Sequence, residues 1–148
     1  MASSASRDVL VAAPPARFFD LVVDFARYPE FVPGVKAAKP RPVAPGAPVD
    51  VEYEVDLGVK TISYVLRHVL ERPTRVSWHL VSGDWMKVSN GSWELTPEGD
   101  GTRARYSVEI QIAKPPLVPQ SLVDRITDEL TKVQLPRMLE AFKGRAER

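Results

Sequence analysis

Between Val49 and Leu57, apolar and acidic residues alternate without a break. Val49, Val51, Tyr53, Val55 and Leu57 fall on one parity, and Asp50, Glu52, Glu54 and Asp56 on the other. Successive strand side chains point to opposite faces, so a strand here has one oily and one acidic face. At helical spacing the same residues would scatter around the axis. The segment therefore predicts one wall of an antiparallel sheet whose inner face another element must cover. Residues 7–13, 35–41, 60–70, 75–81, 86–95 and 102–112 also read as strands. The last has Ala104, Tyr106, Val108, Ile110 and Ile112 on one face. Gly58, residues 71–74, Gly83-Asp84 and the hairpin signal at 97–101 mark reversals, and 41–46 is a turn by composition. Pro14-Pro15 opens a helix over 16–25, with apolar residues at 18, 19, 21, 22 and 25. Residues 24–34 hold two prolines and a glycine, which predicts one short helix or turn. From Gln120 onward a long helix carries Leu122, Ile126, Leu130 and Val133 on one stripe. Pro136 inside it removes a backbone hydrogen bond and predicts a kink.

Composition narrows the classes. A chain of 148 residues fits one domain spanning 1–148, with residues 1–6 expected to be a disordered N-terminus. Twenty Lys and Arg against 19 Asp and Glu make no electrostatic case for nucleic acid. The absence of cysteine excludes disulfides, thiolate zinc sites and a Cys nucleophile, and suits a reducing cytosol. No apolar run approaches the roughly 20 residues of a membrane span, and the first residues lack the apolar core of a secretory signal. The expected location is cytoplasmic, with room for a peripheral position at the inner membrane.

Three motifs carry a resemblance. Asp24-Phe-Ala-Arg-Tyr28-Pro29-Glu30-Phe31-Val-Pro33 is similar to a D-x-x-x-Y-P-x-F-x-P pattern. Gly83, Gly91, Trp93 and Leu95 form a second match, and Ala141-Phe142-Lys143-x-Arg145-Ala146 a third. Together they span nearly the whole chain, and it resembles the START-like (SRPBCC) polyketide cyclase/dehydrase and lipid-transport superfamily. Within that superfamily it looks most like the coenzyme Q-binding START-domain proteins. Lys87, Ser89 and Asn90 depart from the family pattern by making the stretch before Gly91 polar. The resemblance implies an α+β helix-grip fold. A curved six- to seven-stranded antiparallel sheet would wrap around a long C-terminal helix, with two short helices after the first strand.

Strand parity places Val51, Tyr53, Val55, Tyr64, Leu66, His68, Trp78, Leu80, Trp93, Tyr106 and Val108 inside, facing Ile126 and Leu130 of the helix. Such a lining, rich in aromatics with polar tips, suits a filled core as well as a ligand cavity; the resemblance implies the cavity. Turn parity gathers the links at Gly58, Gly83 and Lys114 at one end of the sheet. Val59, Trp85, Met86 and Leu117 there predict an apolar mouth, suited to transient contact with a membrane or an acceptor protein.

No nucleophile elbow, Walker loop or dinucleotide fingerprint occurs. No metal and no cofactor are expected: His68 and His79 have opposite parity, and the acidic series reads as a solvated strand face. The leading expectation is binding and transport or chaperoning of a hydrophobic small molecule, such as an isoprenoid quinone, lipid or polyketide-like compound. The alternative implied by the resemblance is a cyclase or aromatase acting on a carrier-bound polyketide, with Tyr64, Arg67, His68 and Tyr106 in catalytic roles. A third is a ribosome- or protein-interaction module like the toxin relatives.

Overall fold

The computed structural model describes residues 3–41, 44 and 46–148. Seven strands form one antiparallel sheet: β1 (Ser3–Val11), β2 (Val35–Arg41), β3 (Val49–Asp56), β4 (Thr61–Glu71), β5 (Arg75–Gly83), β6 (Met86–Glu98) and β7 (Gly101–Ile112). Their spatial order is β1-β7-β6-β5-β4-β3-β2. The last six strands are a simple meander, and the first pairs with the last. Pro42, Val43 and Pro45 of the expected 41–46 turn, and Met1 and Ala2, lie outside the described residues.

The expectation of a disordered 1–6 is corrected for Ser3–Ser6, which extend β1 and pair with residues 107–110 of β7. Backbone pairing needs no apolar side chain, and β7 is long enough to template the extra residues. The Ser6 and Ser107 hydroxyls meet at 3.2 Å across the pair.

After β1, Pro15 opens α1 (Pro15–Val22) as its first residue, where a missing N–H costs nothing. Its Phe18, Phe19 and Val22 are buried. The helix ends three residues short of the expected 16–25, because the chain leaves helical geometry at Asp24 (φ −84°, ψ 62°). A 3-10 turn (Phe25–Arg27) and α2 (Tyr28–Phe31) follow.

The C-terminal cover is helical from Gln120 to Ala146: α3 (Gln120–Asp128), a π-helical stretch (Glu129–Gln134) and α4 (Leu135–Ala146). In place of a simple break at Pro136, the winding changes. Pro136 sits in the first turn of α4 and has no N–H to give the carbonyl four residues back. One residue earlier the Leu135 N–H reaches the Leu130 carbonyl, five residues back, instead of four.

Phe142 of α4 is 1% exposed. It meets Tyr28 (5.3 Å), Phe31 (5.2 Å) and Trp93 (5.5 Å) edge-on and Phe18 of α1 at 6.4 Å, and so joins both short helices to the sheet. The rest of the third motif is docking chemistry. Lys143 donates to the Leu10 carbonyl at 2.7 Å, and Arg145 pairs with Glu30 while lying over the Phe31 ring. On the outer face of β3 the carboxylates are paired across strands: Asp50 with Arg67, Glu52 with Arg41, Asp56 with Lys36.

Candidate functional site

Two irregularities decide which residues face the helix. At Lys87 the β6–β7 register slips: Met86 pairs with Ile112, whereas Val88 already pairs with Gln111. A bulged residue reverses the parity that follows. Met86 therefore shares the inner face with Ser89, Gly91, Trp93 and Leu95. This places the polar Ser89, 5% exposed, among the buried aromatics. A second slip, opposite Val65 and Leu66, leaves Val81 unpaired on β5. The ladder between β5 and β6 is only four pairs long, from Arg75–Glu94 to Trp78–Gly91, although both strands continue beyond it.

Between the inner face, the short helices and the C-terminal helix lies a cavity of about 130 Å³. The sheet contributes Val35, Tyr53, Val55, Tyr64, Leu66, Trp78, Met86, Ser89, Trp93, Tyr106, Val108 and Ile110. The helical side contributes Val22, Tyr28, Val32, Leu130, Thr131, Gln134, Leu135, Met138 and Phe142. No Asp, Glu, Lys, Arg or His is among the described lining residues. The polar groups carried by the wall residues are hydroxyls, one amide and the indole N–H groups of Trp78 and Trp93. Tyr28 spends its proton on the Val22 carbonyl (2.5 Å), Thr131 on the Thr127 carbonyl (2.9 Å), and the Gln134 amide donates to the Pro33 carbonyl. The phenols of Tyr53, Tyr64 and Tyr106 remain in the wall. Burial raises the pKa of all three, that of Tyr64 to about 12, so each keeps its proton. They are neutral hydrogen-bonding groups, not bases.

His68 lies behind this wall. It is 4% exposed, and its Nε2 is 3.0 Å from the Tyr53 hydroxyl. Phe25 packs against it with ring centres 4.4 Å apart, and Trp78 at 5.8 Å. Burial drives its pKa down to about 3, partly offset by the charge of Asp50, so the imidazole is neutral.

Of the expected ligand-facing residues, Tyr53, Val55, Tyr64, Leu66, Trp78, Trp93, Tyr106, Val108 and Leu130 line the cavity. Val51 and Ile126 are wholly buried in the core beside it, and His68 sits one layer back. Leu80 keeps the inner register opposite Leu66 and packs partly buried against the core, but it does not line the cavity. Arg67 is corrected as a catalytic candidate: it faces outward and holds Asp50 with two hydrogen bonds (2.8 and 3.0 Å).

At the expected mouth, Met86 is buried and lines the cavity itself, while Val59 and Trp85 are partly buried. The Lys60 ammonium lies 4.7 Å from the Trp85 ring centre. Leu117 is fully exposed and does not enter the cavity wall. Of the helical lining only Leu130 was expected; Val22, Tyr28, Val32, Thr131, Gln134, Leu135, Met138 and Phe142 were missed by parity reasoning on strands. For Tyr28 and Phe142 the signal lay in the motifs, which place both opposite the sheet. Among the described residues, no group of three or more His, Asp or Glu could hold a metal ion, and no helix is long and apolar enough to cross a membrane.

A seven-stranded antiparallel sheet curved around a C-terminal helix, with short helices after β1 and a cavity between, defines a START-like helix-grip protein. The chain belongs to the family described as polyketide cyclase / dehydrase and lipid transport, whose model matches residues 11–143. It is 28% identical over 143 residues to a ribosome association toxin, RatA, of Vibrio cholerae, covering 95% of this chain and 93% of the relative. Among solved structures, the Zhui aromatase/cyclase of a Streptomyces species has a TM-score of 0.87 at 16% identity, covering 100% of this chain and 95% of that one. A START superfamily protein of Mycobacterium smegmatis has a TM-score of 0.78 at 20% identity, covering 97% of each chain.

Proposed function

We propose that this protein is a carrier that takes a neutral hydrophobic molecule, or the ring portion of one, into the cavity between sheet and helix. The observation that carries the reading is the lining itself: aromatic and aliphatic side chains with hydroxyls, an amide and two indole N–H groups as the polar groups, and no charged group among the described lining residues. Burying an ionised headgroup without a partner is costly, so such a wall selects against anionic lipid headgroups. A neutral molecule meets no such cost. At about 130 Å³ the space resembles engineered apolar cavities of ~150 Å³ that accept benzene. It accommodates a single ring, such as a quinone or polyketide ring; a longer chain requires the helical wall to move outward. Native mass spectrometry, together with mass spectrometry of solvent extracts, tests this. A neutral apolar ligand at one per chain is expected. A protein that carries none, and takes up none from a panel of one-ring hydrophobes, overturns the reading.

The cyclase alternative loses support from two placements. Arg67 is on the outer surface, and His68 is too weak a base near neutral pH to abstract a proton. Ribosome association is favoured by the likeness to RatA over most of both chains. Co-sedimentation with ribosomes at low salt checks it, and unbound protein at low salt removes it.

A further inference from the structure

His68 is the one described side chain with a fully buried polar atom left unpaired: its Nδ1 has no hydrogen-bond partner. Its other nitrogen is committed to Tyr53, whose ring lines the cavity. The neutral imidazole carries one proton, and its position decides what Tyr53 presents to the cavity. With the proton on Nδ1, a buried N–H is left without an acceptor, and Nε2 consumes the Tyr53 proton. Tyr53 then shows the cavity only oxygen lone pairs. With the proton on Nε2, the imidazole donates to the Tyr53 oxygen and the phenol proton is free to point inward. The defect left behind is a bare lone pair, and buried N–H groups without a partner are the rarer of the two defects in folded proteins.

We propose that His68 is a positioning residue: its Nε2–H donates to Tyr53 and aims the Tyr53 proton into the cavity, so that the cavity prefers a ligand presenting a neutral acceptor oxygen there. This rests on the carrier reading and adds a polarity requirement to it. The two residues stand on adjacent strands, Tyr53 on β3 opposite Tyr64 and His68 on β4 opposite Val49, and the Tyr53 side chain reaches along the sheet to the imidazole.

The test has two arms. Long-range 15N–1H correlation on histidine-labelled protein reads the tautomer directly. The chain has two histidines, and His79 is exposed, so the signals are separable. An Nε2–H tautomer is expected; an Nδ1–H tautomer overturns the assignment. In the second arm, acetophenone is compared with α-methylstyrene, which has the same shape with CH2 in place of the carbonyl oxygen. The affinity ratio favouring acetophenone is expected to fall about tenfold in Tyr53→Phe. A large part of that loss is expected in His68→Phe, with no further loss when the two are combined, and recovery in His68→Gln, which restores a donor. The bound carbonyl stretch moves to lower frequency in wild-type protein and in His68→Gln, and stays unshifted in Tyr53→Phe and His68→Phe. If neither probe binds the wild-type protein, the carrier reading fails. If both bind with ratios unchanged by these substitutions, only the role of His68 fails. Should His68→Phe not fold, the wild-type 15N spectrum still decides.

Discussion

The indole of Trp78 occupies the space that a side chain on Gly91 would need. A Cβ built on Gly91 would lie 2.6 Å from Cζ2 of Trp78 and 2.5 Å from the Ser107 carbonyl oxygen. The two residues are direct partners across β5 and β6, at the last pair before the ladder ends. The glycine of the second motif is there because the tryptophan that forms the cavity wall rests on it. Gly91→Ala is expected to destabilise the protein by about 1–3 kcal/mol, the usual range for overpacking. It should also change the environment of Trp78. Urea unfolding followed by tryptophan fluorescence checks both, and an unaltered midpoint would place Trp78 elsewhere.

Phe142 is both keystone and lining. It contacts Tyr28, Phe31 and Trp93 and forms part of the cavity wall. Phe142→Ala is expected to cost about 3–5 kcal/mol by removing a buried ring, and to enlarge the cavity. Phe142→Leu, with a smaller loss, is the working variant for binding. It is expected to admit two-ring hydrophobes more tightly than wild type, which calorimetry reads.

The depressed pKa of His68 makes stability depend on pH with a definite sign. The group is neutral when folded, with a pKa of about 3, against an ordinary value of 6.5 in the unfolded chain. Its contribution is fully present above pH 6.5 and is lost as pH falls toward 3, because the unfolded state then binds the extra proton. The slope approaches about 1.4 kcal/mol per pH unit within that window. Carboxylates held by arginine, such as Asp50 and Asp20, add their own acid sensitivity. The difference between wild type and His68→Phe isolates the imidazole. Across pH 7, 6, 5 and 4.5 the unfolding free energy of wild type is expected to fall relative to that of His68→Phe; parallel curves would refute a buried neutral His68.

Gln134 ties the π-helical stretch to the chain that leads into β2. It is the last residue of the π-helical stretch, and its amide donates to the Pro33 carbonyl beside Gly34, whose own carbonyl accepts from Asp56 of β3. Gln134→Ala is expected to lose about 0.5–1.5 kcal/mol, the net worth of one such bond. It is also expected to speed ligand entry and exit in stopped-flow measurements, with a smaller effect on affinity. Unchanged rates would show that the cavity opens elsewhere.

The sheet was legible because alternation states the inner face directly. Val51, Tyr53 and Val55 are buried while Asp50, Glu52 and Asp56 pair with cations outside, and no knowledge of neighbouring strands is needed to see it. Register slips were harder to see. In residues 86–95, Met86 and Val88 share one parity and Trp93 and Leu95 the other, which is the visible trace of a bulge. Its location at Lys87 depends on pairing with β7. The π turn was not legible, since one missing donor at Pro136 is compatible with a kink or with a change of winding. Arg67 and Asp50 became a pair only once β3 and β4 were in register. The orphaned nitrogen of His68 is a property of packing on every side and leaves no mark in the sequence.

The strand order has a last consequence. β1 and β2 are consecutive in the chain yet occupy opposite margins of the sheet, so residues 12–34 must cross its full width. That stretch acts as a bowstring. Its length limits how far the margins can part, and with it the curl of the sheet and the calibre of the space beneath. Because Phe18, Tyr28 and Val32 of the string are themselves buried, it cannot slacken without unpacking. The girth of any guest is therefore governed by a segment whose own backbone belongs to neither the sheet nor the C-terminal helix.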